Sequence, residues 1–215
     1  MAEITHRTAP STLSVLDLPA PKSRARRAWI VATSLCIAVM PALSGCESPQ
    51  SSSLGEVPDG WATLTTEGVD VSYPKSSSGG YTEESVSERS KYNAAAAVRT
   101  ENGRKVSTIT VQLDFTRAHT ADQAAIGAEA GVQLGATLTG TTKIALNGAP
   151  DARRVDFAFT SSGKQQTPPE GTRVNGVILT GLDSTDQTFA VRIDAQQGTL
   201  ADTELNKIID SIKVH

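Results

Sequence analysis

A short apolar run that ends in small residues and a cysteine divides this chain into an N-terminal leader and a remaining domain. It therefore determines which residues can contribute to the folded domain. A basic cluster at Lys22, Arg24, Arg26 and Arg27 precedes the run from Ala28 to Ala42. This order is typical of the charged and apolar regions of an export signal. The run is shorter than the roughly 20 apolar residues that a membrane-spanning helix needs. Residues 1–45 are therefore predicted to be a signal peptide.

The signal ends at Leu43, Ser44, Gly45 and Cys46, a sequence that matches the recognition pattern of lipoprotein signal peptidase. Leu43 would fill an apolar subsite of the peptidase, and the small residues after it allow close approach. The thiol of Cys46 would then carry a diacylglycerol, and the serine-rich residues 46–57 would form a flexible tether. The alternatives are an ordinary secretory signal with a chance cysteine and a short uncleaved anchor.

Two features of the leader stay open. Arg26 and Arg27 form a twin-arginine pair that would suit export of an already folded domain, whereas plain positive charge before the apolar run is the alternative. The stretch before Lys22 is long and polar, so Val15 and Leu16 are alternative start positions.

The charge and thiol content of the remaining domain exclude several classes of function. Five of the 20 basic and two of the 23 acidic residues precede Cys46, which leaves 15 against 21 and a formal charge of −6. Without a basic run, nucleic acid is not expected as a partner, and the acyl chains are the expected membrane anchor. Cys36 leaves with the signal and Cys46 is lipidated, so the domain has no thiol for a disulfide, a metal or catalysis.

Alternation of apolar and polar residues predicts that most of the domain is β-sheet. Short turns join most neighbouring segments, which predicts antiparallel hairpins. The predicted strands are Trp61–Thr65, Val69–Tyr73, Lys91–Thr100, Arg104–Phe115, Thr141–Leu146, Arg153–Thr160, Arg173–Leu182 and Gln187–Ala195.

Two segments show helical spacing instead. The first would begin at Thr120 or Ala121, continue to about Leu134 and pack through small residues, namely Ala124, Ala125, Ala128, Val132 and Gly135. The second would be capped by Thr199, with Asp202 three residues later. Its apolar stripe is Leu205, Ile208, Ile209 and Ile212. Residues 58–215 are thus predicted to be an α+β domain: an antiparallel β-sheet with an N-terminal hairpin, one mid-chain helix and one C-terminal helix packed on the sheet.

Four segments of the domain resemble a known fold: Val69–Pro74, the turn Asn147–Pro150, Arg154–Phe157 and Leu205–Val214. In pattern and order, residues 58–215 are similar to the Mog1/PsbP-like fold, and in particular to the actinobacterial LpqN-type lipoproteins. In that family the opening Pro is often followed by a Gly-Trp pair, whereas here serines and glycines follow Pro74. The resemblance implies a module that binds partner proteins, with some envelope relatives implicated in lipid or sugar binding.

Few residues of the domain suit catalysis or metal binding. His119 is expected to be exposed near the first helix, and His215, the last residue, to be disordered. Asp114, Asp156 and Asp194 are expected to point outward from their strands, where they would hold Ca²⁺ if the strands were adjacent or else form a solvated face. Arg153 and Arg154 are expected to form surface ion pairs. We predict no enzyme activity, no cofactor and no metal site.

These observations favour a non-enzymatic binding or assembly module of the cell envelope, anchored by lipid on the extracytoplasmic face of the cell membrane. The alternative is a carrier or sensor of an envelope lipid or glycolipid, held in an apolar cleft among Ala124, Ala128 and Val132. The loops Tyr73–Tyr81 and Ser161–Thr172 are candidate binding surfaces. Connections of this kind without any binding function are the alternative. The partner, the ligand and the oligomeric state stay open.

Overall fold

The computed structural model describes residues 57–132, 135–164 and 167–215. In chain order its strands and helices are β1 (Trp61–Thr65), β2 (Val69–Pro74), β3 (Thr82–Glu83), β4 (Ala95–Glu101), β5 (Arg104–Leu113), α1 (Ala121–Ala130), β6 (Thr137–Leu146), β7 (Ala149–Thr160), β8 (Arg173–Leu182), β9 (Thr188–Gln196), α2 (Asp202–Asp210) and β10 (Lys213–Val214). A single 3₁₀ turn, Ser76–Ser78, follows β2.

The strands form two antiparallel sheets. The large sheet has seven strands in the order β3-β4-β5-β9-β8-β7-β6, and the small sheet has the order β1-β2-β10. Tight turns join neighbouring strands, as at Asn102 and Gly103, where both residues have positive φ. This backbone geometry matches the right-handed twist of a two-residue hairpin and favours Asn-Gly. The hairpins therefore follow directly from local sequence.

The main core lies between one face of the large sheet, the small sheet and α2. Val71 on β2, Ile109 on β5, Leu179 on β8 and Phe189 on β9 are all fully buried there. The predicted stripe of α2 faces the same core, and Ile208 is fully buried. The helix is thus stabilised mainly by burial of one apolar face.

The opposite face of the large sheet carries α1 over β7 and β8. The hydroxyl of Thr120 caps this helix by accepting a hydrogen bond from the Gln123 backbone N–H at 3.2 Å. Arg153 on β7 ties the first turn of the helix to the sheet, since its guanidinium donates twice to the Asp122 carboxylate, at 2.6 and 3.0 Å. This contact holds the pKa of Asp122 below its usual value.

The predicted α+β class, the opening hairpin and both helices are confirmed. Several boundaries differ: α1 ends at Ala130 rather than near Leu134, and β6 begins at Thr137. The predicted cap of α2 is wrong, because the helix begins after Ala201, and the Thr199 hydroxyl donates to the Gln196 carbonyl instead. The separate small sheet and β10 were not predicted.

Candidate functional site

A hollow on the domain lies between the large sheet and the first turn of α2. It encloses about 250 Å³ and is lined by residues of β6 to β9, of the turn before α2 and of α2 itself. We call it the α2 groove; its lining residues are Thr139, Arg154, Asp156, Phe157, Ala158, Arg173, Asn175, Gly176, Val177, Ile193, Ala195, Gln196, Gly198, Leu200, Asp202 and Leu205.

The floor of the α2 groove is recessed below its rim because two of its strands carry small side chains there. Ala158 on β7 and Ala195 on β9 flank Asn175 of β8 in one cross-strand row. In the next row, Val177 and Ile193 are almost fully buried. Apart from the exposed Asn175, which we count with the rim, the floor is apolar, as is typical of surfaces that bind ligands or partners.

The rim of the groove is polar and carries both signs of charge. Arg154 and Asp156, two residues apart on β7, form a bidentate pair in which Nε donates to both carboxylate oxygens at 3.0 Å. Arg173, Asn175 and Gln196 have no side-chain hydrogen-bond partner among the described residues. Their donors and acceptors are therefore free to bind a partner.

A second polar cluster lies on the α1 side of the sheet. Arg192 on β9 donates from Nε to both oxygens of Asp194, at 3.0 and 2.9 Å. Its guanidinium stacks over the ring of Phe157, with the Cζ atom 4.8 Å from the centroid. Gly176 completes the cluster, because a Cβ there would approach both Phe157 and Asp194. Burial raises the pKa of Asp194, against the opposing effect of Arg192.

The predicted row of carboxylates does not form. By strand register, Asp156 lies beside Val177 on the α2 face, whereas Asp194 lies beside Gly176 on the α1 face. Asp114 follows the end of β5 with positive φ. The described residues contain no group of three or more His, Cys, Asp or Glu side chains that could hold a metal ion. The calcium hypothesis is therefore wrong, because alternate faces separate the carboxylates.

The two histidines of the domain lie apart. His119 is exposed, as predicted, and its backbone N–H donates to the Gln123 side chain at 2.9 Å. His215 is ordered rather than disordered, since its backbone N–H donates to the Gly68 carbonyl at 2.9 Å and its Nε2 contacts Asp70. The surface ion pairs predicted for the two arginines of β7 are confirmed: Arg154 pairs with Asp156, and Arg153 pairs with Asp122 and Asp151.

The loop Tyr73–Tyr81 does not present its aromatic rings to solvent. Both rings are buried in the main core, with centroids 6.0 Å apart in an edge-to-face arrangement. The Tyr81 hydroxyl lies 2.8 Å from that of Ser107, which donates to the Asp194 carbonyl at 2.7 Å. Burial raises the pKa of Tyr81 to about 12. The two rings therefore do not form a binding surface, and a role for the rest of the loop stays a prediction.

The other candidate loop, Ser161–Thr172, is closed by internal hydrogen bonds. The Ser161 hydroxyl is buried and donates to the Pro168 carbonyl at 2.6 Å. With Phe159 and Val174, Pro168 lines a hollow of about 110 Å³. This volume is well below the roughly 300 Å³ at which ligand pockets begin, so a role for this loop stays a prediction.

The apolar cleft expected under α1 is filled by close packing. Ala124, Ala125 and Ala128 are buried, the latter two against Val155 and Phe157. The nearby hollow that touches Ala128 encloses about 150 Å³ and is also lined by Arg192. The small side chains let the helix lie close to the sheet instead of leaving space for a lipid.

The predicted lipidation site lies outside the described residues. This holds for Cys46, for the peptidase recognition residues Leu43, Ser44 and Gly45, and for the twin-arginine pair Arg26 and Arg27. Neither α-helix of the described part is long and apolar enough to cross a membrane.

Sequence reasoning missed the α2 groove. Its residues come from segments far apart in the chain, and the signal that could have pointed to it was the alternation of Arg173, Asn175 and Val177 along β8. Such a strand places polar side chains on an otherwise apolar face.

Comparisons with known proteins do not show a family for this chain. No protein-family model matches the chain, and no curated protein matches it. A solved protein from Bacteroides thetaiotaomicron is similar at 12% identity with a TM-score of 0.40 over 68% of this chain, which spans 45% of that protein's length. A protein of unknown function from Pseudomonas aeruginosa, PA94, is similar at 11% identity with a TM-score of 0.31, over 68% of this chain and 86% of that one.

Proposed function

We propose that this chain is a lipid-anchored protein of the extracytoplasmic membrane face that acts as a non-enzymatic binding or assembly module. Its binding surface in this proposal is the α2 groove. The lipobox at Leu43–Cys46 and the serine-rich tether support the anchor. Resemblance to the LpqN-type lipoproteins supports the same assignment by analogy.

The observation that carries the binding role is the combination of an apolar floor with free polar groups on the rim. Arg173, Asn175 and Gln196 make no side-chain hydrogen bonds to the described residues, so a partner would supply bonds that water otherwise makes. The 250 Å³ hollow is smaller than most small-molecule pockets and suits one protruding group of a larger partner.

The test is purification of the full-length protein from its native envelope in mild detergent, with mass spectrometry of the N-terminus and of co-purifying molecules. We expect a diacylated Cys46 and a stoichiometric companion protein. Two groove variants, Asn175→Trp and Arg173→Glu, should lose the companion. Two matched controls on exposed residues elsewhere, Thr100→Trp and Lys91→Glu, should retain it.

Other outcomes separate the parts of the proposal. An unmodified N-terminus would overturn the anchor, and a companion that survives both groove variants would overturn the assigned surface. Carriage of an envelope lipid or glycolipid is the alternative, favoured by the apolar floor at Ala158, Val177, Ile193 and Ala195. A bound lipid or sugar without a companion protein would support that alternative.

A further inference from the structure

Strand β6 forms a long uncovered edge of the large sheet. It pairs with β7 on one side and has no described neighbour on the other. Its first seven residues are all exposed, and Leu138 is 47% exposed. The opposite edge, β3, is only two residues long. A row of unpaired backbone donors and acceptors is a template for another strand.

Apart from one lysine, the means of blocking such an edge are confined to the two ends of β6. The strand contains no proline and one charged residue, Lys143. Its pairing with β7 shifts between Leu138 and Gly140 and again between Ile144 and Leu146. These irregularities bound a regular stretch of five residues, Gly140–Ile144, whose middle residue is Thr142.

We propose that β6 pairs with β6 of a second copy of this chain, antiparallel and centred on Thr142. The two large sheets would then become one continuous sheet across a two-fold axis. Such an interface is isologous, because the same surface patch serves both copies. This proposal is independent of the function assigned to the α2 groove.

The side chains of the regular stretch complement one another in this register. Thr142 would face Thr142 of the second copy, a pairing that can hydrogen-bond. Gly140 would face Ile144, and both lie on the α2 face, since they pair with Asp156 and Ala152 of β7. A Cβ at Gly140 would meet no atom within 4 Å, so there is open space for the larger partner.

Charge complementarity favours a second copy over a foreign strand. Thr141 and Lys143 lie on the α1 face, and Thr141 donates to the Glu129 carboxylate at 2.6 Å. Directly opposite residues of antiparallel strands share a face, so Lys143 of each copy would lie opposite Thr141 and beside Glu129 of the other. Symmetry produces this contact twice. Within its own copy, Lys143 contacts the exposed Asp151 at 3.0 Å, a pair of little energetic weight.

A cysteine at the centre of the interface tests the register. The Cα atoms of a directly opposed pair lie about 4.5 or 5.5 Å apart, within the range of a disulfide. In purified full-length protein treated with a mild oxidant, we expect Thr142→Cys to form a covalent dimer above any background seen with the unaltered protein. The matched control is Thr139→Cys on the same strand, whose two copies would lie roughly 20 Å apart.

Charge reversal tests the contact between copies. Lys143→Glu and Glu129→Lys each place like charges together twice, so each variant alone should have the mass of a monomer by light scattering. Mixed in equal amounts, they place opposite charges together at both contacts and should form a heterodimer. A contact within one copy cannot produce this rescue.

Three results would overturn the proposal. They are a monomeric mass for the unaltered protein at every concentration, equal cross-linking of Thr142→Cys and Thr139→Cys, and no heterodimer from the mixed charge variants. Retention of a companion protein by Thr142→Cys and Lys143→Glu, which lie outside the α2 groove, would leave the α2 groove proposal standing while the dimer fails.

Discussion

The Nε2 atom of His215, the last residue of the chain, lies 3.1 Å from Oδ2 of Asp70 on β2. The other carboxylate oxygen of Asp70 is buried with no partner among the described residues. The backbone carbonyl of His215 also accepts a hydrogen bond from the Ser184 N–H at 2.9 Å. The chain terminus thus joins the small sheet to the β8–β9 turn.

Loss of the His215 side chain should destabilise the domain, because the partly buried Asp70 carboxylate would lose a partner. We expect His215→Ala to lower the free energy of unfolding by about 1 kcal/mol in urea titrations. Lys213→Ala, a change of an exposed side chain on β10, is the control and should alter it by less than about 0.5 kcal/mol. A double-mutant cycle with Asp70→Asn that shows no coupling would contradict the contact.

Gly176 should tolerate no side chain. An alanine Cβ would lie 2.2 Å from Phe157 Cζ and 2.6 Å from Asp194 Oδ1, so the stacked ring and the ion pair would both have to move. We expect Gly176→Ala to cost about 3 kcal/mol of unfolding free energy, the upper end for overpacking. Gly140→Ala is the matched strand control, since its Cβ meets open space within one copy, and both variants are compared at concentrations where the protein is monomeric. Equal stability of the two variants would refute the packing described for Gly176.

Ionisation of Tyr81 should lower the free energy of unfolding of the domain at alkaline pH. Burial raises its pKa to about 12, whereas an unfolded tyrosine titrates near 10, so the folded state favours the neutral phenol. That contribution is fully present below about pH 10 and is lost as the pH rises through about 12, up to about 3 kcal/mol.

The measurement is the free energy of unfolding between about pH 9 and 12.5 for the unaltered protein and Tyr81→Phe. At about pH 9 the variant should be less stable by about 1 kcal/mol, because the bond to Ser107 is lost. In strong alkali the order should reverse. Tyr92→Phe is the control, because Tyr92 is 71% exposed. The prediction would be contradicted if the stability curves of the unaltered protein and Tyr81→Phe, plotted against pH, did not cross.

The cap of α1 can be tested by a pair of substitutions at Thr120. Thr120→Ala removes the acceptor for the Gln123 N–H and should cost about 1 kcal/mol in unfolding free energy. Thr120→Ser keeps the hydroxyl and should change the free energy of unfolding little. If both variants lost the same stability, the hydroxyl would not be the cap.

Several features of the fold could be predicted because local sequence dictates them. The alternation Phe189, Val191 and Ile193 identified β9 as a strand, and the Asn102-Gly103 turn identified the hairpin of β4 and β5. The helical stripe at Ile208 and Ile209 identified the face that α2 buries. In each case the signal spans fewer than about 15 residues, the range over which period and turn chemistry act.

The capping of α2 shows where local patterns mislead. Thr199 and Asp202 have the spacing of a capping box, yet Thr199 bonds to Gln196 in the preceding turn. A hydroxyl of this kind can satisfy either a helix N–H or a nearby carbonyl, and the local backbone decides which. Spacing cannot distinguish these two uses.

Sequence alone determined the α+β class, most strand and helix positions and the absence of thiols after Cys46, because these follow from short-range periodicity and composition. Tertiary structure decided which carboxylates share a face, that Tyr73 and Tyr81 are core residues, and that Ala158, Asn175 and Ala195 meet in the α2 groove. The physical reason is that sheet order and register bring distant segments together. A shift of one residue in register moves every side chain of a strand to the other face.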